Sequence, residues 1–471
     1  MPSVLAAFAL AGALALHAQG PNPTSAANAF FGSVTAQPVS DETLKLSLDD
    51  AIALGLKNNL GLKVAENSEK SFHGRRNEVL QDFLPTITLT GDLGVHQQNL
   101  VAMGFGPDTV KEFSKLVKIP SNFSFITRDD LTEGKIQFGQ LLFSGPVISA
   151  LKAVGAGERA AHFARMSARG EVVQQVATAY LHAIAASSEV DNARAQVATG
   201  EVLVRHAHEA HEAGVVANLD ELRARVQLQA EQQALIAAQN ALEKDHILLK
   251  REIGIDPGQK IALTDPAPYS DLASQTPQEV LAIACKNRQD YQSLQNQVIA
   301  IKAVHAAYRS QRLPTLSFGG YYGVSQVGGA GSHGNFVAQG NLSLPLFREA
   351  KLRGGTEAAQ AQLDAVNAQL ADLHGQIDQQ VRSALLDVGA TAKLVEVARS
   401  NVDLATRALA DETDRVNAGV DDNLPLVTAQ AALASAESNL VESLFQYNLS
   451  KLALARAAGI IEEQYREYLG R

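Results

Sequence analysis

Three histidines, His206, His208 and His211, fall within the segment RHAHEAHEAG. On a helix His208 and His211 are one turn apart and Glu212 is four residues after His208, a spacing that could hold a divalent metal. The string HEAHE is only superficially like the HExxH of zinc proteases. Glu212 stands where the second imidazole would be, so the two-histidine clamp is missing. A solvated helix face accounts for the cluster, and no metal site is expected. The glycine-rich run GGYYGVSQVGGAGSHG from Gly319 leaves one strand and enters another, with no helix N-terminus to cradle a phosphate. Cys285 is the lone cysteine, which rules out an intrachain disulfide and a multi-cysteine metal site. No nucleophile stands with a base and an orienting partner. The expectation is therefore no catalytic residue, no cofactor and no enzyme.

The residues with positional meaning are those that the chain writes twice. SLDDAIALGLKNN begins at Ser47 and leads to LPTITLTGDLGV, ending at Val95. TPQEVLAIACKNR begins at Thr276 and leads to LPTLSFGGYYGV, ending at Val324. Pro85 and Pro314 set an offset of 229 residues, which also carries Ser47 to Thr276, Asp50 to Glu279 and Lys57 to Lys286. Each copy opens with a Ser or Thr N-cap and an acid three residues on, so a helix starts there. Each helix stops at Leu-Pro, because the residue before proline is pushed out of the α region. A strand follows. Ile87, Leu89, Leu93 and Val95 share one face of the first, opposite Thr86, Thr88, Thr90 and Asp92. Ile136 and Phe138 mark the next strand, about Lys135 to Phe143. In the second copy Leu316, Phe318, Tyr322 and Val324 share a face, followed by Ala338, Leu342 and Leu344.

The later half of each copy aligns with an offset of 205: Val176, Ala183, Val190, Val197 and Val204 fall on Val381, Val388, Val395, Val402 and Leu409. These seven-residue steps, with small residues three positions on, describe a heptad seam on a helix of about 67 residues, on the order of 100 Å long. Gly214 falls on Gly419 and Gly254-Ile255 on Gly459-Ile460. Chance would not align the seam together with two glycine breaks, so the chain is read as a tandem duplication.

Composition is consistent with extended helices. The chain has 471 residues and is Ala-, Leu-, Gln- and Glu-rich, with no Trp and a net charge of −10. The acidic balance argues against nucleic acid as a partner. The organisation expected is a signal peptide over 1–18, a linker over 19–45, a first repeat over 46–254, a linker over 255–275, a second repeat over 276–460 and a tail over 461–471. The apolar run from Val4 to Leu16 is too short to span a bilayer and suits a signal core. No Lys or Arg precedes it, and Leu16 is large for the −3 position of a cut after Ala18, which leaves Ala15 as a rival. No cysteine follows the run, so no lipoprotein anchor is expected.

Each copy reads helix, strand, loop, strand, long helix, glycine break, helix. The fold class is mainly α with a small β part. Strands of about 9–11 residues suit a tilted crossing of a bilayer. Four strands cannot close a barrel, and lipid does not tolerate open edges. If the strands cross a membrane, several chains share one barrel; otherwise they form a small soluble sheet on a helical rod. The shorter helices, about 37 and 35 residues, together match one long helix, with the glycine breaks at the end far from the strands.

The paired junctions FLPTITL and RLPTLSF, with the paired turns EAGVVANLDELRARVQL from Glu212 and NAGVDDNLPLVTAQAAL from Asn417, resemble those of the outer-membrane efflux proteins, the TolC-like family, over about Leu46 to Ile460. The resemblance implies a homotrimer with a long coiled-coil-like periplasmic α-barrel and a shared twelve-stranded outer-membrane β-barrel. The implied function is the exit duct of a tripartite efflux pump, passively passing substrates. Its implied partners are a periplasmic adaptor, an inner-membrane transporter and outer-membrane lipid. The outer-membrane component of type I protein secretion, or a periplasmic coiled-coil scaffold without a pore, are the alternatives. The family's turn motifs dock the adaptor, and they carry over onto Ala213, Gly214, Val215, Ala418, Gly419 and Val420; plain helix capping by the glycines is the other reading. A tip constriction or charge ring would fall to Asp220, Arg223, Asp421 and Asp422, since Pro425 and Thr428 stand where the family often has acids. Helix-dipole acids are the competing reading there. Ile87, Leu89, Leu93, Val95, Ile136, Phe138, Leu316, Phe318, Leu342 and Leu344 are expected to face lipid.

Overall fold

The computed structural model describes residues 25–34, 38–119, 123–214, 217–266, 268–273, 275–328, 331–418 and 423–470. The expected signal segment lies outside them. The elements run β1 (Leu44–Leu46), α1 (Leu48–Asn58), α2 (Leu60–Gln81), β2 (Thr86–Asn99), α3 (Pro107–Ser114), β3 (Ile126–Ser144), α4 (Gly145–Glu212) and α5 (Asn218–Ile253). They continue through β4 (Ile261–Leu263), α6 (Pro277–Asn287), α7 (Gln289–Ser310), β5 (Thr315–Val327), β6 (His333–Ser343), α8 (Glu349–Asn417), α9 (Asn423–Ala457) and α10 (Ile461–Leu469). The duplication is plain in this order: α1-α2-β2-β3-α4-α5 recurs as α6-α7-β5-β6-α8-α9.

Both repeats begin as their sequences require. Ser47 Oγ accepts from the Asp50 amide and the Asp50 carboxylate accepts from the Ser47 amide. Thr276 and Glu279 make the same reciprocal pair. The single helix expected from Ser47 to Phe83 is instead two, broken at Asn59. Asn59 adopts φ −61°, ψ 133°. Its Oδ1 accepts from the amides of Gly61 (2.9 Å) and Leu62 (3.3 Å), so a side chain replaces the backbone acceptor and restarts the helix. The second copy breaks at the corresponding Arg288, with φ −64°, ψ 117°. Asp290 Oδ1 there accepts from the Tyr291 amide.

The chain divides into two compact units. One comprises Ser71–Arg159 and Asn296–Asn367. It holds an antiparallel sheet in the order β2-β3-β5-β6. The strands are longer than expected: β2 has 14 residues, β3 19 and β5 13. Their polar distal ends pair as regularly as their apolar middles, so composition alone understated them. Val79, Val147 and Val154 form a small core with Phe83, Leu141, Ala150 and Leu151. Gly145 lets α4 start against α7: a Cβ there would lie 2.9 Å from Ser310 Cβ.

The other unit comprises Met1–Lys70, Ala160–Gln295 and Ala368–Arg471. Its core gathers Leu46, Leu48, Ile52, Val172, Val176, Tyr180, Leu249, Ile253, Val381, Leu452 and Leu454, so the heptad seam is buried where other elements meet it. Two segments expected as linker contribute a parallel pair, β1 with β4. Tyr180 Oη lies 2.9 Å from both the Leu46 carbonyl and Asp265 Oδ2, pinning that pair to α4. The tail expected over 461–471 is α10, which buries Ile461, Tyr465, Tyr468 and Leu469. These stand at i, i+4, i+7 and i+8, the spacing of a helix face.

Candidate functional site

The sheet has two chemically distinct faces. Register places Ile87 opposite Phe138 and Leu89 opposite Ile136. It continues with Phe138 opposite Gly320 and Ile136 opposite Tyr322, then Leu316 opposite Leu342 and Tyr322 opposite Phe336. With Leu93, Val95 and Phe318 these residues make one apolar face. It is uncovered: Leu89 is 77 %, Leu93 84 % and Leu342 69 % exposed. Transferring that surface from water to hydrocarbon is favourable by roughly 25 cal/mol per Å². Phe138 is half-buried because the Phe318 ring lies edge-on 5.9 Å away. Leu344 is exposed but lies one residue beyond β6, so it is not part of the strand.

The opposite face carries Thr88, Thr90, Asp92, Glu133, Lys135, Gln137, Tyr321 and Asn335. Gln137 Nε2 donates to Thr90 Oγ1 at 3.2 Å, and Lys135 pairs with Glu133 and lies 4.7 Å from the Tyr321 ring centroid. Strands β2 and β6 are the outer strands, and among the described residues each has a neighbour on one side only. No described helix is long and apolar enough to cross a membrane.

The first helical turn is exposed and capped by its glycine. The Ala213 amide donates to Glu209 O (3.0 Å) and the Gly214 amide to His211 O (2.9 Å). Gly214 has φ 75°, a backbone region that disfavours side chains, and no neighbour within 4 Å of a Cβ there. In the second turn Ala418 donates its amide to Asp414 O at 3.0 Å. Val215, Gly419, Val420, Asp421 and Asp422 lie outside the described residues. Asp220 and Arg223 pair at 3.2 Å, so the acid expected to charge the tip is partly neutralised on its own helix. Leu219, Leu222 and Val226 line a cleft of about 380 Å³ with Val427 of α9.

The histidines do not converge on a shared metal position. Nδ1 of His208 lies 3.1 Å from Oε1 of the buried Glu221, which also accepts from Arg225 at 2.5 Å. Nε2 of His208 is 3.6 Å from Glu212. His208 thus ties α4 to α5, a role its exposed, polar neighbourhood in the sequence did not announce. Among the described residues no group of three His, Cys, Asp or Glu is arranged to hold a metal. Sequence reasoning also missed the buried carboxylates Glu221, Glu231 and Glu252. Each sits on a helix so rich in Gln and Glu that its charges read as solvated.

A sheet that is apolar over much of one face, polar on the other and open at both outer strands has the pattern from which membrane β-barrels are built. The chain belongs to the outer membrane efflux protein family, whose sequence model matches residues 51–254 and 280–460. The two matched stretches fall in the two halves of the duplication. The outer membrane protein TolC of Vibrio cholerae is 25 % identical over 346 residues, covering 71 % of this chain and 78 % of that protein. A membrane protein from Pseudomonas aeruginosa has a TM-score of 0.74 at 19 % identity, covering 88 % of this chain and 93 % of that one. The CmeC outer membrane channel of Campylobacter jejuni has a TM-score of 0.71 at 15 % identity, with 97 % of both chains covered. The protein is therefore an outer-membrane efflux channel, a passive conduit rather than an enzyme.

Proposed function

We propose that the channel is the exit duct of a tripartite efflux pump, assembled as a homotrimer. The two-edged sheet is the observation that carries this reading. Four strands with an uncovered apolar face cannot rest in lipid while edge amides lack partners, since each unpaired group costs several kcal/mol there. Pairing β6 of one chain with β2 of the next satisfies them, and three copies give twelve strands. In that barrel Ile87, Leu89, Leu93, Val95, Ile136, Phe138, Leu316, Phe318 and Leu342 face lipid, and the face bearing Asp92, Glu133 and Lys135 lines the bore. The helical hairpins then wall a periplasmic tunnel.

The turns that follow α4 and α8 are the proposed docking points for a periplasmic adaptor. Gly214 and Ala418 with their neighbours Ala213, Val215, Gly419 and Val420 form the contact, and the adjoining cleft of Leu219, Leu222 and Val226 offers apolar surface. An inner-membrane transporter is the partner that supplies the energy. Asp220, Asp421 and Asp422, repeated threefold, would favour cations at the tip, with Arg223 opposing that preference. A scaffold without a pore gives no reason for the uncovered apolar face. The test is fractionation with the outer membrane and conductance of the purified protein in a planar bilayer. A detergent-stable trimer that conducts supports the reading; a water-soluble monomer without conductance refutes it.

A further inference from the structure

Helices α4, α5 and α9 share a partly buried polar seam that nothing in passive conduction requires. Gln196 Nε2 donates to Glu437 at 3.0 Å, and Ser438 Oγ donates to Glu189 at 2.6 Å. At one end of it Glu231 of α5 is 8 % exposed. Its Oε1 accepts from Gln430 Nε2 of α9 and from Gln227 Nε2, each at 3.2 Å. Its Oε2 has no partner, and neither does Oε1 of the same Gln430 amide, itself 1 % exposed. The two orphaned atoms are both acceptors. They belong to the two side chains that already share one bond, so a single proton on Oε2 supplies the donor that the Gln430 oxygen lacks. That proton would let the acid and the amide close a ring of two hydrogen bonds.

Space has been left for this carboxyl. A Cβ at Gly200 of α4 would lie 2.2 Å from Glu231 Oε2. Burial raises the Glu231 pKa above the ordinary carboxylate value, and the Gln227 bond offsets only part of it. Glu201 and Arg205, beside Gly200 on α4, are exposed to solvent, and other charged groups on the surrounding helices are engaged elsewhere. Asp191 and Arg194 of α4 pair with each other, Arg225 of α5 holds Glu221, and Glu437 of α9 accepts from Gln196.

We propose that Glu231 is a proton-operated latch: as the neutral acid it closes the ring with Gln430 and holds α9 against α4 and α5, and on losing its proton to solvent it releases α9. Ionisation breaks the Oε2–H bond and leaves a carboxylate facing the Gln430 carbonyl oxygen, two acceptors with no donor between them. Release of α9 loosens the helix that follows the second turn, so acid favours the closed duct. This last step rests on the conduit reading; the latch itself does not.

The full-length protein is compared with Glu231→Gln by hydrogen exchange at α9 amides between Leu426 and Glu437, at pH 5 and pH 8, corrected for intrinsic rates. The side-chain amide introduced by that substitution pairs with Gln430 at either pH. Wild type should lose protection by about tenfold or more on going to pH 8, while Glu231→Gln stays constant. Gln430→Leu, which cannot form the ring, should be poorly protected at both. Equal pH responses in wild type and Glu231→Gln overturn the latch, as does full protection in Gln430→Leu. In planar bilayers wild type should open more often at pH 8 and Glu231→Gln should not respond. An exchange response in a protein that conducts at neither pH upholds the latch and refutes the conduit reading instead.

Discussion

Glu252 provides a quantitative test of how the helical unit is held together. It is fully buried, its Oε1 accepts from Gln175 Nε2 at 3.1 Å, and its Oε2 has no partner. Burial pushes its pKa up from 4.5 to about 8, and the Gln175 bond only partly opposes this. The fold thus favours the neutral acid. Below pH 4.5 both folded and unfolded chains are protonated and the group has no differential effect. Between 4.5 and 8 the unfolded chain gives up the proton while the folded chain keeps it, so stability falls as pH rises. Above 8 both are ionised and the penalty is constant. A displacement from 4.5 to about 8 corresponds to a ceiling of ~5 kcal/mol per chain. Glu252→Gln keeps the shape, accepts the same bond and cannot ionise. Urea midpoints of the detergent-solubilised protein should be similar for the two proteins at about pH 4.5. The variant should gain several kcal/mol over wild type by about pH 8.5. A constant difference across that range would refute a buried, unpaired Glu252.

Three other perturbations probe different parts of the molecule. Lys451, also fully buried, has its pKa lowered by burial from 10.5 to about 8. The unfolded chain therefore holds the extra proton between pH 8 and 10.5, and wild-type stability rises across that window. Lys451→Met should be more stable than wild type near pH 7, with the gain shrinking towards pH 10.5 in the same urea assay. Gly459 has φ 76°, and a Cβ there would lie 2.8 Å from the Arg288 backbone nitrogen. Gly459→Ala should lower stability by about 1–3 kcal/mol, seen as a lower melting temperature. Gly214→Trp adds bulk where nothing lies within 4 Å, so trimers should persist while export in cells is lost. Unchanged export would remove the docking assignment.

Much of this architecture is written in local chemistry. The Ser47 and Thr276 capping boxes, the Leu-Pro stops and the alternation from Ile87 to Val95 each depend on neighbours within a few residues, and each appears where those neighbours put it. What stayed hidden depends on distant partners. The break at Asn59 needs its side-chain amide to donate to Phe30 O as well as its oxygen to cap α2. The β1–β4 pair joins Leu44 to Ile261 across the whole first repeat, and three residues without alternation carry no strand signal. α10 was legible in the spacing of Ile461, Tyr465, Tyr468 and Leu469, but its short length let it pass as a tail. Of the expected surfaces, the uncovered apolar face of the strands could be read from period two alone. The Glu231–Gln430 seam could not, because a buried polar residue on a Gln-rich helix has the same sequence appearance as a solvated one.

Everything proposed for the duct requires that the outer strands of the sheet find their partners on sister chains. Cysteine cross-linking tests this most directly. With Cys285 replaced by serine, one cysteine is placed at Thr90 of β2 and a second is scanned from Phe336 to Leu342 of β6. Oxidised membranes are then run on non-reducing denaturing gels. Pairing between sister chains predicts that at one register the bands advance from one to two to three chain masses and stop there. Bands that remain at one chain mass at every register, whether from closure within a chain or from no bond at all, would contradict it.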